Sequence, residues 1–215
     1  YVPLTDWRDG ETDADAVHGS IYEADYLDAN VEGGEGFDWY YAGANDRALQ
    51  VRTPIADAAH GEPWIWRYKD LRSWWSNAHH DRVGGVRSAS PTPWTPKSKP
   101  IRFTELGCPA VDKGANQPNV FIDPKSQESA LPRFSSGARD DFIQRRYLET
   151  IYGYWRAEAG NNEISPVYGG PMVDIDHATA WTWDARPFPE FPARDDIWSD
   201  AANWRLGHWL SGRLG

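Results

Sequence analysis

The stretch Lys99-Pro100-Ile101-Arg102-Phe103-Thr104-Glu105-Leu106-Gly107-Cys108-Pro109 restricts the possible folds more than any other part of the chain. Ile101 and Phe103 are β-formers two residues apart, so they share one face of an extended segment. Pro100 suits a first strand position, and Gly107 and Pro109 stop the extension. Glu105 therefore falls at the carboxyl end of a short strand. In parallel α/β sheets and (β/α)8 barrels that is the end where the loops converge and ligands bind, which makes Glu105 the leading catalytic residue.

Other segments predict units of the same kind. Trp64-Ile65-Trp66-Arg67-Tyr68 alternates behind Pro63 and reads as a strand, with Asp70 as N-cap of a helix carrying Leu71, Trp74 and Trp75. Arg67 and Tyr68 then lie at the active end. A last strand is read from Met172 onward, most clearly over 178–183, where Trp181 and Trp183 share a side before Asp184-Ala185-Arg186-Pro187 turns outward. Tyr1-Val2-Pro3 reads as a strand end leading into the turn chemistry of Asp6-Trp7-Arg8-Asp9-Gly10.

Ile143, Tyr147, Ile151, Tyr154 and Trp155 recur on one helical face, with Ser136 a candidate cap and Asp140-Asp141 suited to the positive helix start. Shorter helices are predicted from Ser20 to Val31, Phe37 to Tyr41 and Asn45 to Val51. Another follows Ser199-Asp200 through Ala202, Leu206, Trp209 and Leu210 to Gly212. The segments 83–96 and 107–137 read as loops, the second packed through Phe121 and Phe134.

Composition narrows function. The 215 residues, 40% hydrophobic, are long enough for one well-buried domain, so 1–215 is read as part of a single domain. A net charge of −10 disfavours phosphate backbones and anionic membrane surfaces, which argues against nucleic acid as a partner. No apolar run of membrane-spanning length occurs, so membrane insertion is not expected. The single Cys108 excludes an internal disulfide and a thiolate zinc cluster. Thirteen Trp, ten Tyr and seven Phe are a large supply of flat amphipathic rings; most of the tryptophans are read as core, and such rings also suit the C–H faces of sugars.

Thr104-Glu105-Leu106-Gly107 is similar to the strand-end motif of retaining (β/α)8 glycosidases, in which a glutamate ending the seventh strand is the nucleophile. More extensively, SKPIRFTELGCPAVDKGANQPNVF, GARDDFIQRRYLE, RYKDLRSWWSNAHHDRVGG and AWTWDARPFPEFP resemble the glycosidase-like TIM-barrel domain of the gene transfer agent baseplate, or phage host-specificity, protein. The likeness runs from Tyr1 to Trp204. It implies an α/β, (β/α)8 TIM-barrel-like domain of glycoside hydrolase type, this chain covering roughly its carboxyl-terminal half, with upstream strands outside the sequence. It also implies a place in the tail or baseplate of a phage-like particle assembled in the bacterial cytoplasm. Other baseplate proteins and a cell-envelope polysaccharide or peptidoglycan are then the partners. Trp181-Thr182-Trp183 looks like the eighth-strand aromatic that lies beneath the reacting sugar.

Retaining hydrolysis needs two carboxyl groups, one attacking and one protonating the leaving oxygen. Glu105 suits the first role, and Tyr68 or Tyr1 can orient it. In the similar barrels the acid ends the fourth strand, which would precede Tyr1. Asp6, Asp70 and Asp184 are strand-end alternatives, each more simply a turn or cap residue. Arg67, Tyr68, Trp181, Trp183, Asp184, Asp6 and Trp7 are the expected substrate-binding residues. No H-E-x-x-H, G-x-S-x-G, P-loop or G-x-G-x-x-G occurs, so neither a metal nor a cofactor is expected. Cys108 reads as a small residue in a tight loop rather than as a nucleophile. The other function class is a barrel kept as a structural or glycan-binding module.

Overall fold

The computed structural model describes residues 1–10, 12–123, 126–181 and 186–208. The stretch around Glu105 is extended and pairs in parallel with the segment before and through Trp181. Ile101 bridges Val173 and Leu106 bridges Ala180. The backbone bonds Ile101 N–H to Met172 O (2.7 Å), Leu106 N–H to Thr179 O (2.9 Å) and Trp181 N–H to Leu106 O (2.8 Å) hold the register. Five positions separate Ile101 from Leu106, whereas seven separate Val173 from Ala180. The two extra residues are absorbed by a 3-10 turn at Ile175–His177, so the predicted last strand is two extended pieces on either side of that turn.

The helix between these segments is Asp141–Trp155, as its periodicity predicts. Its cap is Asp140, whose carboxylate accepts the Phe142 and Ile143 N–H groups at 3.1 and 3.0 Å. Ser136, the candidate cap, instead donates both its N–H and its hydroxyl to the Asp112 carboxylate. Ile143, Tyr147, Ile151 and Trp155, four residues apart, are all buried and form the spine of the core with Leu4, Leu27, Val31, Trp75, Met172 and Val173. Burial of each such side chain contributes about 1.5–3 kcal/mol. Helix α1 (Ala24–Ala29) packs against this long helix, and α2 (Ala44–Leu49) and α3 (Leu71–Ser76) come between the two in chain order. The predicted Asp70 cap is present, accepting Ser73 N–H at 3.0 Å.

Four expectations are corrected. Trp64–Tyr68 is not a strand. Pro63–Ile65 is a 3-10 turn, and Ile65, Trp66 and Arg67 donate to carbonyls three residues back, so local bonds replace ladder bonds. Phe37–Tyr41 is not helical. Trp39–Tyr40 (β1) pairs antiparallel with Thr53–Pro54 (β2). The segment 83–96 contains part of a hairpin, Arg82–Val83 (β3) with Val86–Arg87 (β4), turned at Gly84-Gly85, both with positive φ. The helix from Ser20 to Val31 shortens to α1, with Ser20 accepting Tyr22 N–H outside it.

The 107–137 loop packs, but Phe121 and Phe134 are only half-buried and other residues carry the burial. Val111, Ala115 and Asn116 are buried, and Val111 bridges Arg139. The last described helix is Ala201–Arg205. The expected continuation through Trp209, Leu210 and Gly212 lies outside the described residues, as do Trp183 and Asp184. No closed barrel is present among the described residues.

Candidate functional site

Glu105 leaves the strand exposed at the rim of a cavity of about 250 Å³, whose walls include Tyr1, Tyr68, Lys69, Phe103, Leu106 and Trp155. Gly107 follows with φ +148, and a Cβ there would come within 2.5 Å of the Trp181 carbonyl oxygen. Glycine therefore lets the two strand ends close up beside the carboxylate. The Tyr1 hydroxyl faces Glu105. Burial first, and this carboxylate second, raise the Tyr1 phenol well above its ordinary pKa and keep it a neutral donor. The Tyr1 ring meets Trp181 edge to face at 6.0 Å, and Trp181 leans on Phe121 at 4.6 Å. Glu105, Tyr1 and Trp181 thus gather at the carboxyl ends of the two paired strands.

Tyr68 joins them although it is not on a strand. It keeps 58% of its surface open, while its phenol end rests on Gly36, where a Cβ would lie 2.2 Å from the ring. Burial of that end, with the Glu35 charge, raises its pKa. Beneath it, Lys69 is fully enclosed and donates to the Pro3 and Gly33 carbonyls at 2.6 and 2.7 Å. Desolvation lowers its pKa to about 7, against the pull of Glu35 and Asp38. Arg67 turns away, pairing with Asp70 at 3.5 Å and lying over Phe37.

Asp6 and Trp7 are placed differently. Asp6 is 2% exposed, and its carboxylate takes Arg52 and Arg133, each at 2.8 Å, together with the Tyr41 hydroxyl. Arg133 also holds Glu35 at 2.6 Å. Trp7 is half-buried against the core, its indole N–H on Asp9 at 2.6 Å. Lys69, which lines the cavity, and Glu35 and Arg133, which pair with each other beside it, are residues that the sequence did not single out. Only the glycines flanking Glu35 hinted at a close approach there. Cys108 is buried and burial pushes its thiol well up, so it stays protonated and unreactive. No group of three or more His, Cys, Asp or Glu able to hold a metal occurs among the described residues. No described helix is long and apolar enough to cross a membrane.

Two parallel-bridged segments joined by a long helix, with an acidic residue and aromatic rings at their carboxyl ends, make a β-α-β arrangement of the kind that (β/α)8 barrels repeat. The family described as the gene transfer agent (GTA) TIM-barrel-like domain matches residues 1–192, and the chain belongs to that family. No curated protein shows significant similarity to it.

Proposed function

We propose that this domain is of glycoside hydrolase type, covers the last strands of its barrel, and acts on a cell-envelope polysaccharide or peptidoglycan from the tail or baseplate of a gene transfer agent particle. One observation carries the proposal: Glu105 is the exposed carboxylate at the end of a parallel strand, facing a neutral tyrosine hydroxyl and a cavity edged by aromatic rings. An ionised carboxylate so placed can attack an anomeric carbon, the Tyr1 hydroxyl can hold its second oxygen, and Trp181 offers an apolar face near the sugar. The hydrolysis is then retaining, with Glu105 as nucleophile. Protonation of the leaving oxygen needs a second carboxyl group.

Among the described residues that line this cavity, Glu105 is the only carboxylate. That observation favours a second reading, a non-catalytic glycan-binding or structural module of the baseplate. A fluoro-sugar carrying an activated leaving group separates the two, because it forms the glycosyl-enzyme without an acid. Mass spectrometry should find the label on Glu105 and none on Glu105→Gln. Labelling elsewhere, with Glu105→Gln as reactive as the parent, would overturn the nucleophile. Glycan binding without any labelling would favour the module.

A further inference from the structure

A second cavity, of about 330 Å³, shares Tyr1 and Tyr68 as walls with the Glu105 cavity. Its other walls are polar: Glu35, Asn116, Gln117 and Asn119, with Pro3 and Pro118. Some of these groups are already spent. Asn116 accepts from the Thr5 hydroxyl and Trp7 N–H and donates to the Trp7 and Arg133 carbonyls. The Gln117 carbonyl accepts Arg133 N–H at 2.7 Å, which leaves its NH2 end as a donor. Asn119 is exposed and both ends of its amide are open. The wall therefore offers amide donors and acceptors, a carboxylate and two phenol rings.

Its electrostatics are one-sided. Glu35 also borders a cavity of about 230 Å³ lined by Asp6, Asp15, Asp38 and Arg52. Against Glu35, Asp6, Asp15 and Asp38 stand Arg52, Arg133 and the enclosed Lys69, and both arginines are tied to carboxylates. Among the described side chains around it, every cation is either tied to a carboxylate or enclosed, so none is open to an anionic ligand.

We propose that the cavity bounded by Glu35, Gln117 and Asn119 is a second sugar subsite next to Glu105, selective for neutral or amino-bearing sugar units over carboxylate-bearing ones. The proposal rests on the glycan-acting reading above. The Tyr1 and Tyr68 rings separate two adjoining units of one chain, the amides bond the hydroxyl or acetamido groups of the outer unit, and Glu35 accepts from a hydroxyl or an ammonium group.

Calorimetry on the full 215-residue chain tests it with tetramers of N-acetylglucosamine, glucosamine and galacturonic acid at mildly acidic pH. The first two should bind, with the uronate weaker by about tenfold or more, as like-charge juxtaposition requires. Asn119→Ala should weaken the neutral tetramer by roughly three- to tenfold, the worth of one or two hydrogen bonds. Asn119→Lys, at an exposed position whose change leaves packing intact, should move the uronate-to-neutral affinity ratio toward one. Trp181→Ala, which removes the ring that meets Tyr1 beside Glu105 at the strand ends, reports on glycan binding away from Asn119. Neutral binding that is lost in Trp181→Ala but unchanged in both Asn119 variants would overturn the subsite and leave the glycan reading standing, and uronate binding as tight as neutral would do the same. Binding of none of the three tetramers would overturn both.

Discussion

Asp6 and Glu105 are both carboxylates that the sequence places at the ends of strands, yet their surroundings differ in kind. Asp6 is enclosed and its oxygens are taken by two guanidinium groups and a phenol. Its backbone is held as well, the Gln50 amide donating to the Asp6 carbonyl at 2.6 Å. Glu105 is open to solvent and faces one tyrosine hydroxyl. The difference shows how one residue type divides between architecture and chemistry. A buried carboxylate is tolerable only when its oxygens are paired, and one enclosed as fully as Asp6 is out of a substrate's reach. An exposed one keeps its lone pairs and contributes little to stability.

The contrast is broken most directly at Asp6. Asp6→Ala removes one buried partner from Arg52 and Arg133, which keep Asp15 and Glu35, and should cost about 3 kcal/mol in urea unfolding, the lower end of what opening a buried pair costs. A loss below about 1 kcal/mol, typical of an exposed pair, would show that Asp6 is no hub.

Lys69, which lies between the two regions, gives the next effect. Its folded-state pKa of about 7 lies below the ordinary 10.5, so between those values the unfolded chain holds a proton that the folded one has released. Stability should therefore rise with pH from about 7 toward 10, by up to about 1.4 kcal/mol per pH unit for one proton. The penalty is present in full below about pH 7. Above about pH 10 the sign reverses. Tyr26, Tyr41, Tyr68 and Tyr147, all raised chiefly by burial, stay protonated in the folded state after their unfolded counterparts have ionised. Denaturant titrations across this range, with Lys69→Met as control, check the assignment. A slope that survives in Lys69→Met belongs to another group.

The smallest effect is expected at Glu105. Glu105→Gln should change unfolding free energy by no more than about 0.5 kcal/mol, as for exposed residues outside any network. A larger loss would move Glu105 to the architectural side of the comparison.

Legibility in the sequence followed the range of the interactions. The helix Asp141–Trp155 was readable because its apolar residues recur every four positions and its capping acid is adjacent. The extended segment at 101–106 was readable because two β-formers alternate between a proline and a glycine, although its ladder is reduced to isolated bridges at Ile101 and Leu106. The strand expected at Trp64–Tyr68 failed because alternation carries no information about a partner. With none beside it among the described residues, the backbone closed on itself in three-residue turns. Tyr68 nevertheless reached the site, since Gly36 has no side chain to exclude its ring.

What the sequence determined by itself was the family, one long helix, the strand that carries Glu105 and the placing of that carboxylate at a strand end. These rest on local spacing and on motifs contiguous in the chain. Tertiary structure alone decided that Asp6 is consumed by Arg52 and Arg133, which lie 46 and 127 positions away. It alone put Lys69 under the cavity and brought Glu35 beside Tyr68. The physical reason is that desolvation and ion pairing depend on which distant segments close over a group, and no local pattern of residues encodes that closure.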